Sequence, residues 1–219
     1  MAKRLEGKNT IVTNEVRMTF LHLFEPYAGI PGNEPKYSGT FLLPKTDAET
    51  LGLFNQVIEE VKQQAVSSKW GGVMPPKLHI PIHDGDGVKE SDGTPYPPEC
   101  KGHWVFSASA NSKFKPEVVN AQRVPITNQT EIYSGIYGQV AINIFAYSAP
   151  TKKGIGFGLG PVMKTRDGEP LSGGSMSAAS AFGAPDTAAT AVFGDAMPQP
   201  QPQYMQVPAV DPISGQPVA

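Results

Sequence analysis

Residues 132–170, IYSGIYGQVAINIFAYSAPTKKGIGFGLGPVMKTRDGEP, read as two long strands joined by a short basic turn at Lys152 and Lys153. In the second strand Gly154, Gly156, Gly158 and Gly160 share one face by period-two alternation, and Ile155, Phe157 and Leu159 share the other. One face is apolar and the other is nearly bare backbone. Strand glycines cost conformational entropy and give up β-propensity, so this face implies close packing inside a barrel or the close approach of a ligand. In the first strand Val140, Ile142 and Ile144 form the expected core set, with Tyr133, Tyr137, Phe145 and Tyr147 on the opposite parity. A bulge near Gly135 or Gly138 would reverse the first part of that assignment.

Outside this hairpin the chain divides by composition. All 18 Lys and Arg lie at or before Arg166 and 17 of the 20 acidic residues at or before Glu169, leaving +1 on residues 1–171 and −3 on the remainder. Net charge alone does not announce a polyanion binder, although a near-neutral body can still carry a basic groove. From residue 172 onward Gly, Ala, Ser, Pro and Gln dominate, with isolated Phe182, Phe193 and Tyr204. Such a segment buries too little to offset its ordering entropy, so residues 172–219 are expected to be a disordered tail on a domain of residues 1–171. Cys100 is the only cysteine, which removes disulfide and cysteine-rich zinc frameworks and suits a reducing compartment. The start, MAKRLEGKN, has no apolar signal core, and no run approaches the roughly 18 apolar residues of a membrane span, so neither secretion nor membrane insertion is expected.

Within residues 1–171 strands predominate. Residues 10–24 read as one half-buried strand with Val16, Met18, Phe20 and Phe24 facing inward, and residues 37–43 as a second, stopped by Pro44. Thr46 with Glu49 three residues later resembles a capping box opening a helix whose Leu51, Phe54, Val57, Ile58, Val61 and Ala65 keep helical spacing. Residues 71–101, rich in Pro and Gly, form a long excursion with one short strand near residues 78–82. Strands resume at residues 103–110, with Trp104, Phe106, Ala108 and Ala110 on one parity, and at about residues 117–126. One helix among many strands fits a barrel more easily than a doubly wound sheet and predicts a mainly β fold, an OB-like Greek-key barrel with one capping α-helix.

Chemistry-bearing groups are few. His79 and His83 followed by Asp84 and Asp86 hint at a metal site, but in an extended strand the histidines would stand roughly 13 Å apart, and Pro81 opposes a helix. A tight polar turn and no metal are expected. The glycine spacing is not a dinucleotide fingerprint, and the chain has neither a GK[ST] phosphate loop nor a GxSxG element. No catalytic activity and no cofactor are therefore expected. What stands out is the interleaving of aromatics and cations: Trp104 and Phe106 before Lys113-Phe114-Lys115, Tyr133 to Tyr147 before Lys152 and Lys153, and Phe157 before Lys164 and Arg166. Unpaired bases stack on aromatic faces for roughly 1–3 kcal/mol each while cations follow the phosphates. The same aromatics are also ordinary strand formers, so core packing remains the competing reading.

SKFKPEVVN at residues 112–120, EIYSGIYGQVAINIFAY at residues 131–147 and KGIGFGLGPVMKTRDGEPLSGG at residues 153–174 together resemble a family of bacteriophage single-stranded DNA-binding proteins. With a weaker pattern at residues 10–44, the resemblance spans most of residues 8–174. It implies an OB-fold similar to the replication single-strand binders of podoviruses, and sequence-tolerant binding in phage replication, recombination or repair inside the infected bacterium. It carries over Lys113, Phe114, Lys115, Lys164 and Arg166 as strand contacts. Asn120 stands where the family is expected to carry an acidic residue, a departure that bears on a local hydrogen bond. The tail departs further, since three dispersed aspartates replace the dense acidic tail with which such proteins recruit replication partners. On this reading bases stack on Trp104, Phe114, Tyr137 or Tyr147, and Lys113, Lys115, Lys152, Lys153, Lys164 and Arg166 neutralise phosphates. RNA fits the same chemistry, because none of these contacts needs the 2′ position to be read. The alternative is a β-rich structural virion protein, a head-decoration or tail component, with the same glycines and aromatics at subunit contacts.

Overall fold

The computed structural model describes residues 1–29, 31–149 and 152–171. The expected tail, residues 172–219, lies outside them. The strands are β1 (Lys3–Arg4), β2 (Thr10–Val12), β3 (Val16–Tyr27), β4 (Lys36–Pro44), β5 (Ile82–Asp84), β6 (His103–Asn111), β7 (Val118–Val119), β8 (Tyr137–Ser148) and β9 (Lys153–Arg166), with one α-helix, α1 (Ala48–Ser68). Antiparallel pairs β8–β3, β3–β4, β4–β6 and β9–β8, closed by a parallel pairing of β6 with β9 at Ser109 and Gly158, make a five-stranded ring. In chain order the ring runs first, second, third, fifth, fourth, the Greek-key circuit of an OB barrel. The expected fold class is therefore the one found.

Alternation fills the ring. Phe41 and Leu43 of β4, Phe106 and Ala108 of β6, Val140, Ile142 and Ile144 of β8, and Ile155, Phe157 and Leu159 of β9 all turn inward and are buried. The helix seats Phe54 between Phe106 and Phe157, with ring centroids 5.1 and 5.3 Å away, and lays Val57, Ile58, Val61 and Ala65 on the same core. Its far end is tied to β8: the Trp70 indole Nε1 donates to the Tyr147 carbonyl at 3.1 Å, and Lys69 Nζ donates to that of Ala146 at 2.8 Å.

Four local expectations need correction. The helix is capped by Asp47 rather than Thr46. Asp47 accepts from the Thr50 amide at 3.0 Å and from its hydroxyl at 2.6 Å, while Glu49 reaches away to Asn14. An Asp one residue on from Thr46 satisfies the first turn with a charged acceptor and leaves the capping box unused. Residues 10–24 are two strands rather than one, because the chain breaks where the buried Thr13 bonds both ways with Val140 of β8. In β3 a bulge follows Thr19, and Phe20 takes a left-handed φ of 50° and turns outward, 66% exposed. One extra residue reverses the parity of a strand, so Phe20 is not core. Between residues 117 and 126 only Val118–Val119 pairs in the sheet. There Asn120 Oδ1 accepts from the amides of Gln122 and Val124, and an amide completes the turn where a carboxylate was expected.

Candidate nucleic-acid interface

The outward residues of β4 and β6 are Ser38 and Thr40 opposite Ser109 and Ser107, with a hydroxyl hydrogen bond of 3.0 Å between Thr40 and Ser107. Across the β6–β9 pairing this row continues into Gly158 and Asn143. Small side chains therefore pave one outer face of the barrel. The four exposed aromatic rings among the described residues border it: Phe20, Tyr27 (57% exposed), Phe114 (72%) and Phe145 (41%). Phe20 shares a recess with Thr40 and Ser107, and Tyr27 shares one with Ser38 and Ser109. Phe114 overlooks an open groove of about 900 Å³ with Ser109, Asn143 and Gly158 on its floor and Lys3, Lys8 and Arg123 on its margins.

The glycines of β9 explain how the last of these rings is presented. Phe145 lies opposite Gly156 and Tyr147 opposite Gly154 in the β8–β9 register. A Cβ at Gly156 would meet the Phe145 ring at 2.6 Å, and one at Gly154 would meet the Tyr147 hydroxyl at 2.8 Å. Both rings therefore rest against bare backbone, and Phe145 keeps part of its surface in solvent. The glycine face points away from the barrel interior, and at Gly154 the backbone of the excursion closes over it, a Cβ there meeting the His79 carbonyl at 2.7 Å.

The sequence-derived residues fall into separate places. Lys113 and Phe114 stand in the exposed turn after β6, with the Lys113 amide held by Asn111 Oδ1 at 3.0 Å. Beside them Lys115 is exposed, its Nζ lying 5.5 Å from the Phe24 ring centre. Lys152 is exposed at the hairpin turn and lines the recess of Phe20, whereas Lys153 is half-buried and donates to the Trp70 carbonyl at 3.4 Å. Trp104 shares the inward parity of Phe106, packs against the core from the strand end, and has Lys45 Nζ 5.2 Å from its ring centre.

Tyr137, Lys164 and Arg166 lie at the other end of the hairpin, about ten residues or roughly 33 Å of strand from its turn. The Arg166 guanidinium covers the Tyr137 ring at 3.5 Å and bonds Glu15 at 2.8 and 3.0 Å. Lys164 Nζ bonds the Glu131 carbonyl at 2.8 Å and Asp167 at 2.7 Å. Burial works to raise the Glu15 pKa, yet the hydrogen bonds from Thr165 and Arg166 outweigh it and hold the carboxyl below its ordinary value. The bonds from Lys164 and Tyr133 do the same for Asp167.

His79 and His83 lie closer than an extended strand would set them, with ring centroids 6.4 Å apart and edge to face. Asp84 and Asp86 form the expected tight turn, gripped by Lys45 Nζ, with 2.6 Å to Asp86. No three metal-ligating side chains cluster among the described residues.

The family described as Enterobacter phage Enc34, ssDNA-binding protein, matches residues 9–192 of this chain. The chain belongs to that family. A solved structure titled single-stranded DNA-binding protein from bacteriophage Enc34 in complex with ssDNA is 32% identical, covers 77% of this chain and 96% of that one, and superposes with a TM-score of 0.60. A protein called putative protein p50, from Acyrthosiphon pisum secondary endosymbiont phage 1, is 30% identical over 78% of this chain and 91% of its own. The fold is shared more widely. The single-stranded DNA-binding protein gp2.5 of bacteriophage T7 is 13% identical with a TM-score of 0.54, over 76% of this chain and 96% of that one.

Phe20, Tyr27 and Phe145 are the groove residues that the sequence-derived set lacks. Phe145 was reachable, because folding the hairpin about Lys152-Lys153 sets it opposite a glycine. Phe20 was hidden by its bulge, and no sequence signal marks Tyr27.

Proposed function

We propose that this chain binds single-stranded DNA along the small-residue face of the barrel, without sequence preference over most of the path. The observation that carries the reading is that all four exposed aromatic rings of the described residues border one floor, Phe20, Tyr27 and Phe114 through its recesses and Phe145 beside Gly158, with lysines at its margins. Bases stack on Phe20, Tyr27, Phe114 and Phe145, and Lys113, Lys115 and Lys152 sit against phosphates. Trp104, Tyr137, Lys153, Lys164 and Arg166 are committed to contacts within the protein and serve as its frame. Family membership supports this reading over a structural virion component. Coating unpaired strands during phage replication, recombination or repair, in the cytoplasm of the infected host, is the role that follows. The work is binding rather than catalysis, with phage or host replication proteins as the partners of residues 172–219.

Fluorescence anisotropy of labelled oligothymidine, with matched duplex and single-stranded RNA as competitors at two salt concentrations, tests the reading. Tight binding that weakens with salt, and that duplex fails to compete away, is expected; RNA competes, since the 2′ position is not read. Absence of binding at low salt would overturn the proposal.

A further inference from the structure

The excursion of residues 71–101 folds back over one end of the floor and leaves a recess of about 550 Å³, floored by Thr40 and Ser107 and therefore continuous with the strand path. Its mouth is held by Phe20, whose φ of 50° an aromatic residue rarely adopts. The Phe20 amide donates to Ser134 Oγ at 3.0 Å, which fixes the ring outward instead of letting it fall into the core. An outlier that the surroundings hold in place points to use of the side chain it displays. Deeper in, the His83 and Tyr96 rings face one another, 29° from parallel with centroids 6.5 Å apart. Both rings line the recess, so a base that enters it meets an aromatic face.

We propose that this recess takes one nucleobase extruded from the bound strand, and that it selects a base carrying an exocyclic amino group. The inference rests on the single-strand reading above. Selection comes from Glu99. Its half-buried carboxylate lines the recess and has no hydrogen-bond or ion-pair partner among the described residues. A carboxylate accepts only, so it pairs with the N4 amino group of cytosine and repels the O4 carbonyl of thymine at the same place. Lys152, also on the recess wall, supplies the cation for the phosphate of the extruded nucleotide. Burial first, and then the neighbouring Lys152 and His83, hold the His79 pKa below its ordinary value, so a neutral imidazole lies beside the base. The floor remains tolerant of sequence and the recess is not, so one position of each footprint is read.

Three twelve-nucleotide oligomers decide it: all thymidine, the same with one central deoxycytidine, and the same with one central deoxyuridine, which lacks the methyl group but keeps O4. The full-length protein is expected to bind the deoxycytidine oligomer at least about fivefold more tightly than the all-thymidine one, and the deoxyuridine oligomer no more tightly. Glu99→Ala, and separately Glu99→Gln, should remove most of that gain while changing all-thymidine affinity by less than about twofold. Equal affinity for the three oligomers in the unaltered protein, or a gain that survives both substitutions, would overturn the recess while leaving the single-strand reading intact. Failure to bind any of the three would instead overturn the single-strand reading.

Discussion

At the far end of the β8–β9 hairpin Tyr137 meets Arg166; near its turn Phe145 and Tyr147 meet Gly156 and Gly154. Both ends pair an aromatic with a neighbour directly across the strands, and both have cations close by. At the far end the cation lies on the ring and Glu15 holds the cation, so ring, guanidinium and carboxylate satisfy one another. Near the turn the partner is a glycine, which occupies nothing, and the Phe145 ring remains partly exposed. Aromatics and cations in a sequence therefore do not by themselves mark a binding surface. The proposed reading turns on whether a carboxylate within reach has already claimed the cation.

The largest expected effect breaks the open end. Replacing both Phe114 and Phe145 by Ala should cost about 2 kcal/mol or more of binding, roughly thirtyfold in affinity for oligothymidine. The melting midpoint should hold for Phe114→Ala alone and fall slightly with Phe145→Ala, whose ring is 41% exposed and packs on Gly156. A double variant that binds normally would remove the stacking role.

A smaller effect, on stability rather than affinity, is expected at the closed end. Arg166→Ala or Glu15→Gln should lower the melting midpoint by about 2 °C, as an exposed ion pair allows, and leave oligothymidine affinity unchanged. The pH dependence has a definite sign. The folded-state pKa values of Glu15 and Asp167 lie below the unfolded ones, so their contribution is present above the unfolded carboxylate range, near pH 4, and is lost as pH falls through the folded values. In Glu15→Gln that acid-side loss should be smaller, which thermal melts between pH 3 and 6, on the order of the carboxylate range, would show. If Arg166→Ala instead weakened DNA binding severalfold, the two ends would be one site.

The smallest effect concerns single cations at the margin. Lys152→Ala should lower affinity modestly for every sequence and reduce the slope of log affinity against log salt by about 0.7, the share of one phosphate contact on a single strand. An unchanged slope would place Lys152 off the phosphate path.

Most of the barrel was legible because its strands alternate cleanly. Val140, Ile142, Ile144, Ile155 and Phe157 have the parity of buried residues and are buried. The helix was legible from Phe54 to Ala65, although its cap lay one residue from the expected place, since Thr46 and Asp47 compete for one set of amides. The groove was only half legible. Phe114 was marked by the lysines on either side of it and stands exposed after β6, whereas Phe20 depends on a bulge that no local pattern encodes. Lys164 and Arg166 have the composition of strand contacts, and only the distant Glu15, with Glu131 and Asp167, reveals their commitments. Those partners lie as far as 151 residues away in the chain, beyond any motif.

Longer antiparallel ladders join the ring of strands at three boundaries, while β3 and β8 share only two residue pairs and β6 and β9 a single one, at Ser109 and Gly158. A hoop opens first where its rivets are lightest. The path paved by Ser109 and Gly158 runs straight over that joint, so a polymer laid along it clasps the two banks together, and the cargo becomes a fastening of its own carrier.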